Sequence, residues 1–306
     1  MVKEVKEGGI QLMKHLLLCC LILATLLLSS CGFLDYGFLA PAGPIAEAQR
    51  DQFWLVTCWT MVVILPFFVA MPIVLWKYRR SRKNAVYRPN WTFSWLLESL
   101  IWGVPLVIVS ILSWNVWKAT HTLDPYRPIA GDKPALHIQV VSLDWKWLFI
   151  YPEQKIASVN VVAFPVGRPV HFELTSETVM QSFMIPRLGS QIYTMPGMVT
   201  QLHLLASKPG EYRGQNTQYN GKFYAEQKFT ARAISDSEFK RWIKQKQSHP
   251  PLDMRAYSRL AQRSILSEPE FFGSVTQELF NQIVERVKTT PAADLPGAAK
   301  ATGKGG

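Results

Sequence analysis

The sequence predicts a membrane-anchored all-β protein: a two-helix transmembrane hairpin followed by an external β-sandwich with C-terminal helices. Three observations carry this reading. Two long stretches between residues 53 and 117 lack any charge. A strand-and-turn pattern rich in Val, Ile, Phe, Tyr and Trp follows from residue 136. Apolar residues at helical spacing come after it.

The 306 residues carry 33 Lys+Arg against 22 Asp+Glu, a net charge of +11, yet only 18% are charged and 48% are apolar. A nucleic-acid binder would gather its basic residues on one face or stripe. Here the densest basic run, Lys77–Arg88, is wedged between the two uncharged stretches, which points to membrane topology instead and excludes nucleic acid as a partner. The cysteines Cys19, Cys20, Cys31 and Cys58 all precede His121, so the C-terminal part has no disulfide framework and needs a conventional core.

A first apolar segment, Leu16–Leu28, follows the short basic start Met13-Lys14-His15 and ends in Ser29-Ser30-Cys31. It is too short for a span and reads as a signal peptide over residues 1–30, the residues before Met13 being a longer n-region or lying upstream of the true start. Leu28-Ser29-Ser30-Cys31 resembles the bacterial lipoprotein processing box, in which the cysteine is acylated and becomes the new N-terminus; the competing reading is an uncleaved anchor with an incidental cysteine. Residues 31–52 then form an external N-terminal segment, rich in Gly and Pro, that is a loose tail unless an acyl chain on Cys31 fixes it.

The span over 53–76 has 24 uncharged residues, about 36 Å of helix at ~1.5 Å per residue, enough for a hydrocarbon layer of ~30 Å. Trp54 and Trp76 sit near its ends, at headgroup level. Pro66 and Pro72 are tolerable in such a helix when neighbouring helices satisfy the freed backbone. The second span, over 96–117, contains the uncharged stretch Ser99–Trp117. Between them, residues 77–95 hold Lys77, Arg79, Arg80, Arg82, Lys83 and Arg88 and no acid. The positive-inside rule places this loop in the cytoplasm and both flanks outside, in agreement with an exported Cys31; the resemblance to a bacterial lipoprotein implies that outside is the periplasmic side of the inner membrane. Glu98, near the cytoplasmic start of the second span, has two readings: a functional ionisable group, or a side chain reaching back to headgroups and the basic loop.

Residues 121–234 read as the sandwich, with breaks at Pro165–Pro169, Pro196-Gly197 and Pro209-Gly210. Residues 235–288 read as a helical extension: a capping box at Ser235-x-x-Glu238, a helix through "LDMRAYSRLAQRSIL", and "TQELFNQIVERV" with Leu279, Ile283 and Val287 on one face. These helices must cover either the sandwich or a partner. Residues 289–306, rich in Ala, Gly and Pro, read as a disordered tail.

Within the sandwich no nucleophile elbow, phosphate loop or dinucleotide fingerprint occurs. His137, His171 and His203 have no metal-site spacing and read as side chains packed on sheet faces. The domain by itself shows no chemistry.

The words "DWKWLFIYPEQ", "SFMIPRLGSQIYTMPGM" and "LHLLASKPGEYRG" resemble subunit II of the haem–copper respiratory oxidases, in particular the quinol-oxidising branch of cytochrome bo-type ubiquinol oxidases. The resemblance implies a cupredoxin-like sandwich and a non-catalytic subunit of a proton-pumping ubiquinol:oxygen oxidoreductase. The haems, one copper and oxygen reduction would belong to a partner subunit I, with subunits III and IV as further partners. In the cytochrome c-oxidising relatives a two-copper centre sits on a loop resembling G-x-C-x-E-x-C-G-x-x-H-x-x-M. Laid on "GQNTQYNGKFYAEQ", its thiolate positions fall at Asn216 and Asn220, its carbonyl-offering glutamate at Gln218, its histidine at Tyr224 and its methionine at Gln227; an upstream histidine falls at Gln181. Soft thiolates are replaced by neutral, hard amides, so the resemblance implies no copper in this chain and no electron entry from cytochrome c. Amides and the Tyr224 hydroxyl are expected to hydrogen-bond across the gap. The strip Asp144-Trp145-Lys146-Trp147 corresponds to the one that faces cytochrome c in those relatives and is expected here to meet a partner subunit or the membrane surface. Glu98 corresponds to an acidic residue at the mouth of a proton-uptake channel. The alternatives are a copper-bearing cytochrome c oxidase subunit and a free envelope lipoprotein.

Overall fold

The computed structural model describes residues 37–79 and 90–289. The signal peptide, Cys31, the loop cations Arg80, Arg82, Lys83 and Arg88, and the tail from residue 290 lie outside the described residues.

Among the described residues, two helices are long and apolar enough to cross a membrane: α1, Pro44–Lys77, and α2, Trp95–Thr122. Of their side chains only Ala46 in α1 and Ile108 in α2 are buried by the chain itself. Apolar groups as large as Phe68 and Trp102, 67% and 72% exposed, therefore need lipid or a partner helix around them. Three polar side chains on the helices bond back to the helix backbone: the Thr57 and Thr60 hydroxyls donate to the Phe53 and Val56 carbonyls, and Asn115 Nδ2 donates to the Ile111 carbonyl. Pro66, Pro72 and Pro105 lie inside helices that continue past them.

Both helices extend beyond the uncharged stretches, and the start of α1 is tied to the outer domain. α1 starts at Pro44, where proline suits a first helical position. Its preceding Gly43 lies so close to the Leu205 carbonyl that a Cβ would come within 2.1 Å of that oxygen. Ala42 N donates to Arg187 O at 2.8 Å, Ser207 N to Ala42 O at 2.7 Å, and Arg187 Nε to Ala40 O at 2.8 Å. Residues 40–46 are thus no loose tail: backbone hydrogen bonds hold them on the domain without an acyl chain. α2 runs on through Thr120 and Thr122, whose hydroxyls bond back to Val116 and Lys118 carbonyls. The first strand starts at Leu136, where the strand pattern of the sequence begins.

The outer domain is a two-sheet sandwich. Its strands are β1 (Leu136–Leu143), β2 (Lys146–Tyr151), β3 (Ile156–Val159), β4 (Val161–Pro165), β5 (Val170–Ser176), β6 (Gln181–Met184), β7 (Ile192–Thr194), β8 (Thr200–Leu204), β9 (Gly210–Asn216) and β10 (Lys228–Ile234). One sheet has the order β12-β3-β2-β1-β5-β8, where β12 is Phe271–Phe272; the other has the order β4-β10-β9-β6-β7. β1 pairs with β5, and β4 with β10, in parallel; the remaining pairs in both sheets are antiparallel.

β2 shows why alternation was only partial in the sequence: it is buried along its whole length. Trp147, Phe149 and Tyr151 face the opposite sheet, while Leu148 and Ile150 face a second core made with the C-terminal segment. The C-terminal helices therefore cover the sandwich. α3 (Asp236–Lys246) opens with the reciprocal Ser235–Glu238 capping box and places Phe239 and Trp242 against Tyr151 at the end of the main core. α4 (Met254–Leu260) and α5 (Leu279–Thr289) lay Tyr257, Leu260, Phe280 and Ile283 on the outer face of β1–β3. Helix was expected through Leu266, but α4 ends at Leu260. The chain turns there, and residues 262–264 reach the side chains of Asp144 and Lys146. Short strands β11 (Pro251–Leu252) and β13 (Ser274–Val275) pair in parallel and bring the segment back toward α5.

Candidate functional site

At one end of the sandwich the β1–β2 turn, the β5–β6 connection and the loop from β9 to β10 meet. β6 pairs antiparallel with β9, setting Phe183 opposite Asn216. This register brings Gln181 beside the β9 loop, and Gln227 returns at the loop's far end to accept Asn216 N at its own carbonyl, 3.1 Å.

Four of the six amide and tyrosine positions converge. Gln227, fully buried, is the hub. Its Oε1 accepts from Asn216 Nδ2 at 3.0 Å and from Asn220 Nδ2 at 2.7 Å. Its Nε2 donates to Gln181 Oε1 at 2.5 Å and to the Leu143 carbonyl at 3.1 Å, which also accepts from Gln181 Nε2 at 3.3 Å. Asn216 Oδ1 accepts the backbone N–H groups of Ser182 and Gln218. Beside this cluster a second ring joins Ser182, Thr217 and Gln191. Neither the local pattern nor any motif singled out Leu143, Ser182, Thr217 or Gln191, because their roles arise from pairings across the sheet.

Two positions stay outside. Gln218 contributes its backbone N–H and not its side chain. Tyr224 does not join the amides through its hydroxyl, as was expected; its ring lies against Tyr219, centroids 5.8 Å apart, on a 3-10 turn over Tyr224–Glu226. The reason is geometric: that turn carries Tyr224 to the rim, whereas Gln227 re-enters the core.

The donor set does not fit a copper centre. The converging groups are neutral carboxamides hydrogen-bonded to one another through Gln227, with Asn220 Oδ1 left buried and without a partner, and none is a thiolate or imidazole. Among the described residues no group of three or more His, Cys, Asp or Glu is placed to hold a metal ion.

The strip Asp144–Trp147 is not an outward face. Asp144, Lys146 and Trp147 are buried, and the chain's own residues 262–264 lie over the first two. Trp147 packs edge-on against Phe183 and Phe229 beneath the amides, centroids 5.3 and 5.6 Å away. Only Trp145 remains half-exposed, at φ +66° and edge-on to Phe223. A left-handed backbone at an aromatic residue costs roughly 1–2 kcal/mol. It is what turns Trp145 away while its two neighbours point inward.

The three histidines form a row across β1, β5 and β8: His171 is stacked on His203 at 4.5 Å, with planes 3° apart, and on His137 at 5.3 Å. Stacked rings of this kind do not aim their nitrogens at one point. Burial first, then the neighbouring His203 and His137, push His171 below the usual imidazole range. Glu173 is held below the usual carboxylate range, first by the hydrogen bond from His137. The row is a packed sheet face, as the sequence implied.

Glu98 lies in the first turn of α2, where its Oε2 accepts from Trp102 Nε1 at 3.1 Å, one helical turn on.

Comparison with known proteins agrees with this geometry. A family model described as "Cytochrome C oxidase subunit II, periplasmic domain" matches residues 148–233, and one described as "COX Aromatic Rich Motif" matches residues 246–288. The ubiquinol oxidase subunit 2 of Acetobacter aceti is 43% identical over 285 residues, covering 92% of this chain and 90% of its own. The cytochrome bo(3) ubiquinol oxidase subunit 2 of Pseudomonas aeruginosa is 42% identical over 275 residues, covering 90% and 82%. The quinol oxidase subunit 2 of Bacillus subtilis is 34% identical over 241 residues, covering 78% and 74%.

Proposed function

Since the chain belongs to the family of ubiquinol oxidase subunit II, we propose that its outer domain is a metal-free cap on the catalytic subunit and that Glu98 feeds protons toward it. The chain is a non-catalytic subunit of a quinol-oxidising enzyme and partners a catalytic subunit I in a multi-subunit complex of the inner membrane. The observation that carries the cap reading is the amide cluster: Gln227 joins Gln181, Asn216 and Asn220 through hydrogen bonds between neutral carboxamides, and Gln181 and Gln227 share Leu143 O. A domain so built has no relay from cytochrome c, and electrons enter the complex from ubiquinol held by its membrane part. The complex then converts two ubiquinol and O2 into two ubiquinone and two water, with bond making in subunit I and with subunits III and IV completing the assembly.

Copper analysis of the purified complex checks the cap reading. Copper confined to the partner subunit, with no near-infrared band and no reduction by cytochrome c, is the expected result. Copper bound stoichiometrically to the outer domain would sink it.

Glu98 carries the proton-entry role because it is the sole acid within α2's apolar stretch and sits at the end next to the basic loop. Its bond to Trp102 orients the carboxylate along the helix. Glu98→Ala is expected to slow oxygen consumption severalfold while the assembled complex is recovered in normal yield. Unchanged turnover would remove the role.

The lipoprotein-like box ending at Cys31 supports acylation of that cysteine on the outer, periplasmic side. Mass spectrometry of the N-terminal peptide checks it: an unmodified Cys31 would reject the acylation. Because residues 40–46 are already held on the domain, Cys31→Ser is expected to leave assembly intact.

A further inference from the structure

The turns that build the amide cluster are gripped from behind by the C-terminal segment. In the β1–β2 turn, Arg263 Nε donates to Asp144 Oδ2 at 2.7 Å, and the other oxygen of Asp144 accepts from Thr178 Oγ1 at 2.7 Å. Two residues on, Lys146 Nζ donates to Gln262 O at 2.7 Å and to Ser264 Oγ at 2.6 Å. In the β5–β6 connection, Glu177 accepts from the Tyr257 hydroxyl at 2.6 Å and pairs with the Arg286 guanidinium, which also lies over the Tyr257 ring. Glu177 N donates to Ser142 O, so the two gripped turns are themselves joined. One turn presents the Leu143 carbonyl to Gln181 and Gln227, and the other leads directly into Gln181.

Glu177, Asp144, Lys146 and Tyr257 are 0%, 2%, 1% and 0% exposed. Charged groups are seldom buried so fully unless each is paired, because removing them from water is costly. Three such groups lie at the one end of the sandwich where hydrogen bonds among neutral amides, each worth only ~1 kcal/mol net, hold the loops together. Burial, and then the Glu177 carboxylate, push the Tyr257 hydroxyl well above its ordinary range, so it stays a donor.

We propose that residues 257–286 form an internal clamp that organises this end of the domain in place of a metal, with Tyr257, Arg263 and Arg286 as positioning residues. The inference rests on the metal-free reading of the amide cluster. A metal would tie Gln181, the β9 loop and its return strand at their centre. The clamp instead immobilises two of the three converging turns from outside, and the amides then complete the third.

Hydrogen exchange on the intact oxidase tests this with Arg263→Ala and the milder Tyr257→Phe, which removes one hydroxyl and leaves the ring. Amides of Glu177, Asn216, Thr217 and Gln227 are expected to exchange faster, by a factor on the order of ten or more, while Val140 and Phe172 in the core strands keep wild-type rates. Arg263→Lys should restore much of the protection. Unchanged exchange at the four amides in both variants would overturn the clamp. So would a uniform acceleration that includes Val140 and Phe172, the signature of a merely structural loss. Copper analysis of the same wild-type sample separates the two failures: copper in the outer domain defeats the metal-free reading and the clamp built on it, whereas unaltered exchange in a copper-free domain defeats the clamp alone.

Discussion

Gln227→Ala is expected to destabilise the outer domain by about 3–5 kcal/mol, the cost of leaving two or three buried amide groups unpaired at ~1–3 kcal/mol each. The substitution strips Asn216 Nδ2, Asn220 Nδ2 and Gln181 Oε1 of their shared partner in one step. Water could replace a partner at the rim, but Gln227, Gln181 and Asn216 are 0%, 0% and 4% exposed. For a domain of this size such a loss lowers the apparent unfolding midpoint by roughly 6–20 °C. Differential scanning fluorimetry of the complex checks it against Gln245→Ala, an exposed glutamine on α3. A midpoint shift no larger than that of the control would show that the cluster contributes nothing. Catalytic turnover near 25 °C should survive, since the residue belongs to no reaction step.

Phe183→Ala removes the floor beneath the same cluster and is expected to cost about 3–5 kcal/mol, the range for truncating a buried aromatic side chain. Phe183 is fully buried and meets four rings: Phe229 at 5.0 Å, Trp147 at 5.3 Å, Phe172 at 5.4 Å and Phe149 at 6.3 Å. Its backbone pairs with Asn216, so a cavity there also loosens the strand that presents the amides. Phe183→Ala combined with Gln227→Ala should therefore deviate from additivity by more than ~0.5 kcal/mol, as neighbouring sites do. Strict additivity in the double-mutant cycle would mean that the aromatic floor and the amide layer are independent.

Several features were legible because their causes are local. The two spans follow from uncharged stretches, and the capping box at Ser235–Glu238 from four consecutive residues. The buried stripe of α5 follows from the spacing of Leu279, Ile283 and Val287. The poor match of the β9–β10 loop to copper is likewise a property of residue chemistry, visible without coordinates. Other readings missed because the deciding contact was remote. Residues 40–46 look like a tail until the Arg187 and Ser207 backbones are placed beside them. "DWKWLF" suggests a surface strip until residues 262–264 are seen above it. Tyr224 was grouped with the amides by its position in the loop, and a 3-10 turn separates it from them.

The sequence by itself determined that this is a membrane hairpin bearing a sandwich whose loop offers amides where a metal would need thiolates, since charge, hydropathy and donor chemistry belong to residues one at a time. Only the tertiary structure decided that those amides close on one another and that the C-terminal helices cover the sandwich. The contacts responsible join residues 46, 84 and 119 positions apart: Gln181 with Gln227, Leu143 with Gln227, and Asp144 with Arg263. Hydrogen bonds act over about 3 Å and require alignment. Whether two such groups meet is therefore set by strand register and helix docking, which no local pattern encodes.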